Sequence, residues 1–181
     1  MRHEIAWIGD VRRCDNAHVT SDVEIYEPSP ADWRMVRDVR LRALKDAPDA
    51  FGSTYAREVA FTQVDWTRRL ADAENATFLA RLGERTVGIV GGWQDGAGVE
   101  LVAMWVDPTA RGHGVAEPLV NAVLRWAADI GEERVHLWVT DGNDSAYRLY
   151  ERCGFVATTE HQPLPSNPEL TEIGMVRTLS P

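Results

Sequence analysis

Two cysteines in 181 residues, Cys14 and Cys153, are too few and too far apart for a disulfide framework or a four-ligand zinc set, which points to a reducing compartment. Long apolar runs are missing as well. Nothing approaches the ~18 uninterrupted apolar residues of a membrane span, and residues 1–10 lack the apolar stretch of a secretory signal. A cytoplasmic protein without a membrane partner is the expectation. Positive charge is scarce: 19 Lys and Arg stand against 28 Asp and Glu, a formal net charge of -9 that would repel the phosphate backbone of nucleic acid and anionic lipid alike. A cationic small molecule would be drawn instead, although the sign of the whole need not be the sign of a site. Internal repeats and low-complexity tracts are also absent. A chain of this length can bury about 70% of its unfolded surface as one domain.

Residues 1–21 mix charge, Trp7, Cys14 and His18 without a sustained period and are expected to form an arm outside a single domain over 22–181. A short apolar and acidic alternation predicts a strand over 23–27. Asp32 can then cap a helix carrying Trp33, Val36, Val39, Leu41 and Leu44, which ends near Pro48. Loop formers fill 46–55, and a second helix is predicted over 65–72, with Trp66, Leu70 and Ala71 on one side. Strands over 77–82 and 86–91, joined at Gly83-Glu84, form a hairpin, and a third strand covers 99–106. Apolar positions from Ala116 to Ile130 recur at helical spacing. A strand over 135–140, a helix over 144–153 and strands over 155–158 and 173–178 complete the series. Hairpins early and strand–helix alternation late predict a mixed α/β sheet with helices on both faces, and a ligand mouth between the strands ending at Val106 and Thr140.

The strongest chemical signal is Val106-Asp107-Pro108-Thr109-Ala110-Arg111-Gly112-His113-Gly114-Val115-Ala116, a strand end leading through a glycine loop into a helix. Unpaired amides at a helix start carry partial positive charge, glycines let the backbone close on an anion, and Arg111 adds a fork of donors: together these suit a pyrophosphate. A dinucleotide fingerprint fails for want of a third glycine, and a P-loop for want of Gly-Lys-Ser/Thr. His113 has no second ligand at metal spacing, so it is expected to be a solvent-facing loop residue and no metal is expected.

Arg111, Gly114 and Ala116 match the Arg/Gln-x-x-Gly-x-Gly/Ala signature of the GNAT superfamily of N-acetyltransferases, and Asn143, Ala146, Leu149, Tyr150, Gly154 and Phe155 match its second hallmark. In these residues the chain resembles that family over roughly 23–179. The resemblance implies a mostly antiparallel sheet with two splayed cofactor strands, and acetyl-CoA as acetyl donor. It also implies main-chain contacts from Met104, Trp105 and Val106 to the cofactor arm, and pyrophosphate on the amides of Gly112, His113, Gly114, Val115 and Ala116. Asn143 and Ala146 would help hold the arm. Tyr150 would protonate the departing thiolate; Tyr147, three residues earlier on nearly the same helical face, is the competitor that spacing alone does not exclude. Glu100 would take the proton from the acceptor amine, directly or through water, if burial raises its basicity.

Fold and cofactor do not name the acceptor. Wall residues are expected in 47–55, 93–99 and a late loop over 161–172: Phe51, Tyr55, Trp93 and Glu100, with Glu169 or Glu172 as further carboxylates. Rings with carboxylates suit a small polyamine-bearing acceptor such as an aminoglycoside. Acetylation of a protein or peptide amine and a non-catalytic acetyl-CoA sensor are the alternatives. The arm and the exposed last strand could each support a homodimer.

Overall fold

Alternating apolar residues around Gly83-Glu84 make the central hairpin, and the other strands assemble on it. The computed structural model describes residues 23–179. The arm expected over 1–21 lies outside them. In chain order the elements are β1 (Val23–Tyr26), α1 (Trp33–Asp46), α2 (Tyr55–Val59), α3 (Gln63–Ala71), β2 (Asn75–Leu82), β3 (Arg85–Gln94), β4 (Val99–Val106), α4 (Ala116–Asp129), β5 (Arg134–Thr140), α5 (Asp144–Arg152), β6 (Val156–Leu164) and β7 (Asn167–Thr178). The strands form one seven-stranded sheet in the order β1-β2-β3-β4-β5-β7-β6. Every pairing is antiparallel except β4 with β5.

The two faces are covered by different helices, because each strand turns alternate residues to opposite sides. Leu79, Ile89 and Trp105 join Val36, Val39, Leu44 and Trp66 of α1 and α3 in one core. Ala80, Val90 and Leu101 join Leu119, Val120, Val123 and Ala127 of α4 in the other. The α4 seam is close: a side-chain carbon at Gly92 would lie 2.7 Å from the Trp126 ring.

Two expectations are corrected. Residues 161–172, read as a loop, mostly form a hairpin of β6 and β7 turning at Pro165-Ser166. Pro163 is accommodated because β6 is the last strand of the sheet, and an edge strand tolerates a residue without an N–H. Tyr55, read as the end of a loop, instead opens the short helix α2 over 55–59, for which no element is predicted, and its N-cap Thr54 accepts a hydrogen bond from the Arg57 amide. No helix among the described residues is long and apolar enough to cross a membrane.

Candidate functional site

The mouth between β4 and β5 is built by a defect in each direction. Parallel pairing of the two strands is confined to Val99 with Val135 and Glu100 with His136. Beyond those pairs the strands separate, so the backbone of β4 from Leu101 onward faces a gap. On its other side β4 slips register against β3 between Ile89 and Gly91, and Ala103 stands at φ 57°. That extra residue is a bulge, and it inverts the alternation. Val99 and Leu101 face α4 before it, whereas Val106 faces α4 and Trp105 faces α1 after it. The bulge therefore presents Ala103 and Met104 to a cavity that ordinary pleating would not give them.

The loop that follows is fixed at its root. Asp107 accepts hydrogen bonds from the Thr109 amide and hydroxyl and an ion pair from Arg42 at 2.7 Å. The hydroxyl of Thr109, partly offset by burial, then its amide and the Arg42 charge hold this carboxyl below its usual range. Gly112 and Gly114 both adopt positive φ, 80° and 74°, a region where a side chain is strained. The chain then enters α4 with no side-chain cap, which leaves first-turn amides to bind whatever anion approaches. Val115 is buried in the core, Ala116 opens the helix and His113 is exposed. One role changes: Arg111 is committed within the protein, its Nε donating to the Val106 carbonyl at 3.1 Å and its guanidinium paired with Asp46. Trp105 Nε1 donates to the same carboxylate at 2.9 Å. The fork expected to face a pyrophosphate instead ties the loop to the end of α1.

Asn143 sits at the N-cap of α5, its side-chain oxygen accepting from the Ala146 amide at 3.2 Å. The helix it starts carries Tyr150 into a cavity of about 620 Å³, which Glu100, Met104, Phe51, Trp93 and Glu172 also line. Tyr147 packs against the α4-side core and is not among the lining residues. Burial, with a smaller contribution from Cys153, pushes the Tyr150 phenol far above its ordinary range, so it keeps its proton at any ordinary pH. Glu100 is half-buried. Desolvation raises its carboxyl, the neighbouring His136 opposes this, and Asp95 and Glu172 add to it. Glu172 is likewise raised by burial, against a hydrogen bond from Gln162 at 3.1 Å.

Tyr55 is a correction: it lies outside the cavity, its ring 4.5 Å beneath the Lys45 ammonium, because α2 turns it toward α1. Glu169 is exposed and outside it too. His136 was missed. Its Nε2 pairs with Asp95 at 3.0 Å, its Nδ1 is buried without a partner, and ligand atoms of Asp95, Glu100 and His136 all lie within 4.8 Å of one another. Only the β4–β5 register brings His136 beside Glu100, and no sequence spacing reveals it. Arg40, Arg57, Arg68 and Arg69 were missed as well, and all four line the cavity.

A family model described as "Acetyltransferase (GNAT) family" matches residues 40–155. Among curated proteins, a mycothiol acetyltransferase of Nocardiopsis dassonvillei is 30% identical over 145 residues, covering 78% of this chain and 39% of that protein. The chain thus spans about two fifths of that relative's length. Among solved structures, an acetyltransferase of the GNAT family from Streptococcus pneumoniae superposes with a TM-score of 0.73 at 20% identity, over 88% of this chain and 100% of that one. The spermidine N-acetyltransferase of Vibrio cholerae, in complex with CoA and spermine, superposes with a TM-score of 0.69 at 16% identity, over 87% and 96%. At these identities the two structures speak for the fold alone.

Proposed function

This chain belongs to the GNAT family of acetyltransferases, and we propose that it transfers the acetyl group of acetyl-CoA to the primary amine of a small molecule seated in the 620 Å³ cavity. The observation that carries the proposal is the bulged, splayed β4, which offers unpaired backbone to a ligand arm directly beside Tyr150 and Glu100. In this reading Met104, Trp105 and Val106 hold the arm through main-chain groups, and amides from Gly112 to Ala116 hold the pyrophosphate. Asn143 and Ala146 close the other side. Acetyl-CoA supplies a thioester whose carbonyl carbon accepts the amine and whose carbon–sulfur bond breaks.

Glu100 or a water it holds takes the amine's proton, which frees the lone pair for attack. Its raised pKa makes it a better base than an ordinary glutamate. Tyr150, which burial keeps protonated, gives its phenolic proton to the sulfur as that leaves; the same burial makes it a weaker acid, so the transfer draws on the developing thiolate charge beside it. Phe51 and Trp93 supply apolar wall. An aminoglycoside-like polycation is favoured by Glu100, Glu172 and the exposed face of Trp93; four arginines elsewhere on the wall oppose it.

The test follows thiol release from acetyl-CoA across aminoglycosides, polyamines, amino acids and short peptides, with mass spectrometry locating one added acetyl group. Tyr150→Phe should lower turnover about 10²-fold with acetyl-CoA affinity little changed, and Tyr147→Phe should not. The reverse order would move the acid to Tyr147. Tight acetyl-CoA binding with no amine acetylated would instead identify a sensor.

A further inference from the structure

The cavity is divided by charge, in a chain whose net charge is -9. Its sheet side carries Glu100 and Glu172 and no cation; its helical side carries Arg40, Arg57, Arg68 and Arg69 against two carboxylates, Glu58 and Asp65. Both of those carboxylates are already engaged. Glu58, 1% exposed, accepts from Arg40 Nε at 3.2 and 3.1 Å and Nη2 at 2.8 Å, and from Arg69 Nη1 at 3.4 Å. Asp65 accepts from the amide and hydroxyl of Thr62 in the cap of α3. Among the described residues Glu58 pairs with Arg40 and Arg69, and no carboxylate lies within ion-pair distance of Arg57 or Arg68, although the Arg68 charge is felt at Asp65. Arg40 adds a stronger sign: it is 7% exposed, yet its Nη1 has no hydrogen-bond partner. A buried cation with an idle donor is unfavourable unless an acceptor arrives.

We propose that this wall is an oxyanion subsite and that the acceptor is an amine that also bears a carboxylate, its amine toward Glu100 and its carboxylate on Arg57 and Arg68, with Arg40 behind them. The inference rests on the acetyltransfer reading of the same cavity. Guanidinium forks fit a carboxylate in two parallel bonds, which fixes the orientation of the whole acceptor. A polycation is excluded from this end by like charge. The sheet side would accept one ammonium group and the helical side would reject a second.

The subsite is tested with linear ω-amino acids and dipeptides, each paired with its carboxamide. Wild-type kcat/KM should favour the acid over its amide by about tenfold or more, since charge-assisted bonds are roughly twice as strong as neutral ones. Arg57→Ala and Arg68→Ala, both at exposed positions that leave the core untouched, should each erode that preference while KM for acetyl-CoA stays constant. Binding is read separately by calorimetry with CoA present. Acids that bind in preference to amides without any turnover would sink the acetyltransfer reading and keep the subsite. Amines acetylated with acid and amide equivalent, with spermidine the better substrate, or with the acid preference intact in the Arg57→Ala/Arg68→Ala double variant, would overturn the subsite and keep acetyl transfer.

Discussion

The β4–β5 mouth and the α1–α3 wall enclose one cavity, yet they are made of different materials. At the mouth the parts are backbone: a bulge at Ala103, strands that part after Glu100, and two glycines at positive φ before α4. On the wall the parts are side chains, four arginines drawn from three helices, of which Arg40 and Arg69 are held by Glu58. Positive φ at glycines and unpaired amides at a helix start admit few sequences, so they leave a local signature. A wall of side chains can be recut residue by residue while the sheet behind it stands. This is the physical sense in which one half of the site states a donor and the other half must be asked about the acceptor.

The largest expected effect lies at the keystone of the wall. Burial alone would push the Glu58 carboxyl up, but the hydrogen bonds and charge of Arg40, with Arg69, outweigh it and hold the carboxyl below its usual range. Glu58→Gln keeps the shape and strands Arg40 in the interior, a loss of about 3–5 kcal/mol in urea unfolding. Because the folded pKa is depressed, this contribution is present above the unfolded carboxylate pKa and is lost as pH falls through the folded value. The variant's deficit should thus shrink in acid. A loss under about 1 kcal/mol would mean the pair holds nothing up. Impaired acetyl-CoA binding in the folded variant would mean the two regions are not separable.

The matching change at the mouth is Gly114→Val. A β-branched residue at φ 74° is strained by about 1–2 kcal/mol, and relief moves the loop. The acetyl-CoA Kd should rise by about tenfold, with the melting temperature lowered by about 2–8 °C and acceptor affinity nearly unchanged. Unchanged cofactor affinity in calorimetry would remove the loop from the donor site.

How much could be read beforehand follows the same division. Arg111-Gly112-His113-Gly114 announced a glycine loop before a helix, and Asn143 announced a cap, because positive φ and unpaired amides restrict residue choice locally. The committed partner of Arg111 was not legible, since Asp46 is distant in sequence and only folding brings them together. Ala103 gave no hint of a bulge, being an ordinary strand residue by composition. Tyr55 was assigned to the wall by type, whereas its direction depends on the five-residue helix α2. His136 and the arginines were invisible for the same reason: register and helix packing, which no spacing rule encodes, bring them to Glu100 and to the cavity.

The smallest effect, and the one placed where mouth and wall meet, concerns Glu100. Desolvation leads its raised pKa, with His136 opposing and Asp95 and Glu172 reinforcing, so the folded protein holds this proton more tightly than the unfolded chain. A carboxyl raised in the folded state costs stability as pH rises from its unfolded to its folded value, and the cost persists above it. Glu100→Gln removes that cost. The variant should melt slightly higher than wild type near pH 8, and the difference should vanish as pH falls below the ordinary carboxylate range, about pH 4. Turnover should move the other way. Wild-type kcat/KM should carry an acid limb displaced above the ordinary glutamate range, and Glu100→Gln should lower turnover and erase that limb, leaving only the titration of the acceptor amine. A variant less stable than wild type near pH 8 would show that the His136 contact outweighs burial and the neighbouring carboxylates at this site. A variant of undiminished turnover would show that the amine loses its proton elsewhere, and Glu100 would then belong to the wall alone.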